Sequence, residues 1–61
     1  MITASQCRAA RALTEITRDM LAERSGVDAH IIADFERGLA ELDDASIIKL
    51  EQALEAVGAL F

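Results

Sequence analysis

Thr17-Arg18-Asp19-Met20-Leu21-Ala22-Glu23-Arg24-Ser25-Gly26-Val27-Asp28-Ala29-His30-Ile31-Ile32-Ala33-Asp34-Phe35-Glu36-Arg37-Gly38 is the stretch that decides the fold of this chain. Thr17 is a natural helix N-cap, and Asp19 follows in the first turn, where a negative charge suits the helix dipole. Leu21 and Ala22 are expected to point inward. Gly26 stands where the chain must turn with positive φ, which glycine adopts at little steric cost. Val27 continues the apolar side. Asp28 caps a second helix whose inward residues are Ile32 and Phe35, and Gly38 stops it. The stretch predicts two short helices joined by a tight glycine turn.

The flanks extend the same pattern. Upstream, Thr3-Ala4-Ser5-Gln6 fits a capping box, and a helix is predicted from there to about residue 13. Cys7, Ala10 and Leu13 are expected on its inner face, with small residues at 9, 10 and 12 permitting close contact. Downstream, a link over 39–43 leads to a last helix capped by Asp43 or Asp44. Ile47, Leu50, Ala53, Leu54 and Val57 follow at spacings of three and four, Gly58 ends the run, and Ala59-Leu60-Phe61 forms an apolar tail. The expected architecture is an all-α, compact four-helix domain over 1–61. Its second and third helices form a helix-turn-helix over about 17–38.

Composition sets the limits on function. The chain has 61 residues, no proline and three glycines, and 52% of it is apolar, too much for a disordered chain. A domain this small buries a modest core, and oligomerisation would help it; a homodimer is compatible with the sequence. Eleven carboxylates face six Lys or Arg side chains, a net charge of −5. Nucleic-acid-binding domains usually carry a basic excess, although a local basic patch can survive on an acidic protein. Cys7 and His30 are too few ligands for a protein zinc site, and a single cysteine closes no internal disulfide. No metal or cofactor is expected. There is no apolar run of membrane length, so a cytoplasmic protein is the default and no membrane is expected as a partner. No nucleophile–base–orienter set or phosphate-cradling glycine loop points to an enzyme. Asp43-Asp44 reads as a cap with solvated charge, and Cys7 as a small core residue.

With Gln6-Cys7-Arg8-Ala9-Ala10-Arg11-Ala12-Leu13, Thr17-Arg18, Leu21-Ala22-Glu23-Arg24-Ser25-Gly26-Val27, Ile32, Phe35-Glu36-Arg37-Gly38 and Leu54-Glu55-Ala56-Val57-Gly58 in order, the chain resembles the phage-repressor-like (XRE, lambda-repressor-like) helix-turn-helix family. The resemblance covers nearly the whole chain. It implies a structural pair between an arginine of the first helix and a glutamate ending the third, matched here by Arg11 and Glu36. An Arg fork can hold a carboxylate bidentately and lock two helices; the alternative is two solvated charges. The resemblance also implies a third helix that enters the DNA major groove. The family's usual glutamine on the DNA backbone is replaced by Arg18, which is compatible with phosphate contact.

The departures bear on function. Groove-facing positions that are usually polar or basic read Asp28, Ala29, His30, Ala33 and Asp34. Alanine cannot reach a base edge, and aspartate there meets a repulsive background. After Gly38 come Leu39, Ala40, Glu41 and Leu42. Met20, Ile31, Leu39 and Ile48 are apolar where the family is frequently polar; they are either an interaction patch or an enlarged core. His30 is either a polar contact or a solvated side chain. On charge, the first expectation is a regulator of transcription that grips another transcription-regulatory protein, as an antiactivator or antirepressor would, through Met20, Asp28, Ile31, Asp34 and Leu39. The alternative is a sequence-specific DNA-binding regulator using Arg18, His30, Arg37 and Lys49. A purely structural module is a third class, with no feature specific to it.

Overall fold

A computed structural model describes residues 1–61. Four helices follow one another: α1 (Ala4–Thr14), α2 (Arg18–Ser25), α3 (Ala29–Glu36) and α4 (Asp44–Ala56), with no strand between them. Each begins at a side chain that satisfies a free backbone N–H of its first turn. Thr3 and Gln6 form the reciprocal capping box. Thr17 accepts from Met20, Asp28 from His30, and Asp43 rather than Asp44 from Ser46. Gly26 ends α2 at φ 79°, its N–H bonded to the Ala22 carbonyl. Glu15 ends α1 in the same left-handed region at φ 59°, the single non-glycine residue there.

α1 and α2 each pack against both α3 and α4. Leu21, Ile32, Leu50 and Leu54 are fully buried, and Cys7 and Glu36 join them without exposure. Burial of each large aliphatic side chain contributes about 2 kcal/mol. Ala22, Ile47 and Val57, expected inward, are half-buried against this core.

Leu13 corrects the sequence reading: it is 85% exposed. Two successive three-residue steps carry a helix face about 120° away from Cys7, and Thr14 takes the inner position instead, half-buried with its hydroxyl donating to the Ala10 carbonyl at 2.7 Å. Ile2 and Ile16, outside the helices, are buried. No helix is long and apolar enough to cross a membrane.

Candidate functional site

The expected Arg11–Glu36 pair is present and belongs to a larger cluster. Arg11 grips the Glu36 carboxylate with two nitrogens, Nε to Oε2 at 2.7 Å and Nη2 to Oε1 at 2.8 Å. Its third, Nη1, donates to the Ile16 carbonyl at 3.2 Å. Arg18 adds its Nε to Oε1 at 2.9 Å, and the Cys7 thiol donates to Oε2 at 3.2 Å. A carboxylate offers about four acceptor positions, and here all are taken. Arg8 donates to the Glu36 carbonyl and to Ser5 Oγ, closing the C-terminal end of α3 with a positive charge where the helix dipole favours one.

This cluster sets its own ionisation. Burial pushes the Glu36 carboxyl up, but hydrogen bonds from Arg11, Arg18 and Cys7 outweigh it and hold the group at about 2. Burial, with the Glu36 hydrogen bond and charge, pushes the Cys7 thiol up to about 12, so it remains a donor. The hydrogen bond to Glu36 raises Arg11 further.

In front of the cluster lies an open cleft of about 770 Å³, formed by the end of α1, the start of α2 and one flank of α3. Arg8, Arg11, Arg18, Arg37 and His30 line it, with Glu15 and Asp19; Ala12, Ile16, Ala29 and Ala33 supply its apolar wall. Four of the six Lys and Arg side chains therefore meet at one concavity of an acidic protein. They outnumber the two carboxylates of the lining and the one buried behind it. Arg11 is spent on Glu36 and Ile16. Arg18 keeps both Nη atoms without a protein partner, and Arg37 joins no ion pair.

Of the residues expected to meet DNA, Arg18, His30 and Arg37 share this cleft; Lys49, on α4, does not line it. Of those expected to meet a protein, Met20, Ile31 and Leu39 are 39%, 45% and 73% exposed, so they do not enlarge the core. Asp28 and Asp34 are exposed as well, and neither they nor Ile31 line the cleft. Met20 borders a separate hollow with Glu23 and Arg24. α3 thus has two unlike flanks: Ala29, Ala33, His30 and Arg37 on the cleft side, Ile31 and Asp34 beyond it.

Sequence reasoning missed Arg8 as a cleft residue. The signal was there, because Arg8, Arg11 and Glu15 recur at three and four along one flank of α1. A second hollow, between α1 and the tail, is lined by Gln6, Leu13, Thr14, Leu60 and Phe61 among others and holds no charged side chain.

Among known proteins, the family model described as helix-turn-helix matches residues 8–58. No curated protein and no solved structure matches the chain. With four capped helices, α2 and α3 joined through Gly26, and the Arg11–Glu36 lock between α1 and α3, the chain belongs to the helix-turn-helix family in its phage-repressor-like (XRE) form.

Proposed function

We propose that this regulatory helix-turn-helix domain meets DNA through the α1–α2–α3 cleft. One observation carries the reading: Arg8, Arg11, Arg18, Arg37 and His30 converge on a single concave surface. The net charge of the chain ranks a protein partner first; the position of the charges favours DNA. Asp28 weighs less against DNA than its sequence position suggests, since it lies outside the cleft lining, with its Oδ1 accepting from the His30 N–H at 2.8 Å as the cap of α3. In this reading the free Nη atoms of Arg18 and the Arg37 guanidinium contact phosphates, and His30 donates to a phosphate or a base edge. The small side chains of Ala29 and Ala33 let the duplex approach closely. Affinity is modest, because Asp19 lies in the cleft and Asp34 stays exposed beside it.

Titration of a random-sequence duplex pool, followed by fluorescence anisotropy above 0.1 M salt, tests it. The logarithm of affinity is expected to fall with that of salt by about 0.9 per phosphate neutralised. Arg37→Gln should make the slope shallower by about one. Absence of binding at about 100 µM protein, the weak end of ordinary non-specific affinity, overturns the reading.

A second reading rests on its own observation, the exposure of Met20, Ile31 and Leu39. It takes another transcription-regulatory protein as partner. Ile31→Ser with Leu39→Ser should then abolish co-purification with that regulator and leave the melting temperature unchanged, since neither side chain is in the core. A variant that still co-purifies rejects it.

A further inference from the structure

We infer that Glu36 is a positioning residue for the binding face as well as a structural anchor: it takes the Nε edge of Arg18 and thereby aims the rest of that guanidinium into the cleft. This rests on the DNA reading above. The Glu36 side chain is without solvent exposure, and its Oε1 receives Arg18 Nε at 2.9 Å. Oε1 cannot follow Arg18 outward, because it also receives Arg11 Nη2 at 2.8 Å, while Oε2 is tied to Arg11 Nε and Cys7. The carboxylate is a fixed point held from α1. A guanidinium is a rigid plane with donors on more than one edge. One edge is pinned; the others face the cleft with no protein partner, on a side chain that is 34% exposed. A long arginine on a helix surface ordinarily loses rotamer freedom when it grips a phosphate. Here much of that ordering is already in place before DNA arrives.

Lysine separates this from simple charge. Its three donors sit on one nitrogen: kept on Oε1, that nitrogen stays at the depth of Arg18 Nε, short of where the Nη atoms reach, and moved out to a phosphate it leaves Oε1 one donor short. Arg18→Lys is therefore expected to lose DNA affinity about as far as Arg18→Gln does, fivefold or more, with a salt slope shallower by about one. Arg24→Lys, at an arginine outside the cleft, should stay within about twofold. Thermal melting of each variant reports whether the fold is retained. A measurement on the unmodified protein stands beside these. The Arg18 Nε–H resonance should stay protected from solvent exchange when duplex DNA is added, while the Nη signals shift. Arg18→Lys binding within twofold of the parent, or loss of Nε–H protection on adding DNA, overturns the inference while the DNA reading stands. Failure of the parent to bind any duplex removes both, and is seen before any variant is made.

Discussion

Glu36 carries the largest electrostatic stake of any residue here. Removing a carboxylate from water costs several kcal/mol, offset only when geometry and hydrogen bonding are complete. Two contacts from Arg11, one from Arg18 and one from Cys7 make it so. Removing Arg11 or Glu36 alone leaves the other charge short of partners, a loss of about 3 kcal/mol, comparable to the whole stability of a small domain. A double-mutant cycle with Arg11→Met and Glu36→Leu should give a coupling of about 1–3 kcal/mol, the double variant being more stable than the sum of single losses implies. Coupling near zero in urea unfolding would mean that the pair does not hold the helices. The same carboxyl makes stability depend on acid. It ionises at about 2 folded, against an ordinary 4.5, so between those values the unfolded chain binds more protons. The contribution, on the order of 3 kcal/mol, is complete above the ordinary value and is lost as pH falls to the folded one. Asp43, held down by its hydrogen bonds to Ser46, acts in the same direction. The urea midpoint should drop clearly between pH 5 and pH 3; an unchanged midpoint contradicts the depressed carboxyl.

At the level of the element, the helix starts were legible, and so was Val27 of the loop-borne core, but Ile2 and Ile16 were not. Thr3, Thr17, Asp28 and Asp43 cap as their residue types suggest, because a cap is settled within one turn. Ile2 and Ile16 lie outside every helical period, so periodicity is blind to them. Another pattern was available. Each N-cap is preceded by an apolar residue and followed four positions into the helix by a second: Ile2 with Cys7, Ile16 with Leu21, Val27 with Ile32, Leu42 with Ile47. That is the spacing of the hydrophobic staple, and all eight belong to the core or pack against it. Leu13 failed for the opposite reason, since a three-residue spacing taken twice leaves the face it starts from. Ile16→Ala should therefore destabilise by about 2–4 kcal/mol, while Leu13→Ala stays within about 0.5 kcal/mol. Chemical denaturation checks both, and a reversed order would put Leu13 back in the core.

For the molecule as a whole, charge count and charge position give different answers, and only the first is readable along the chain. Arg8 and Arg11 belong to α1, Arg18 to α2 and Arg37 follows α3; folding alone brings them to one cleft. The acids lie mostly elsewhere. If they limit DNA affinity, Asp28→Asn with Asp34→Asn should raise it severalfold above 0.1 M salt, with α3 intact because asparagine caps as well as aspartate. An unchanged affinity would remove exposed acid as the barrier. The separation of charge also has a kinetic consequence. The domain measures 25 × 21 × 18 Å, smaller than the screening length of about 30 Å at 0.01 M salt and larger than the roughly 8 Å at 0.15 M. On the proposed DNA reading, an approaching duplex in dilute salt feels the overall charge of −5 and is repelled before it can find the cleft. Near physiological ionic strength the distant acids are hidden, and the cleft acts with only the acids in or next to it. Stopped-flow association should run faster at about 0.1 M salt than at 0.01 M, opposite to a uniformly basic domain. Such a protein would search DNA with little long-range attraction, registering the duplex only when the cleft is already turned toward it.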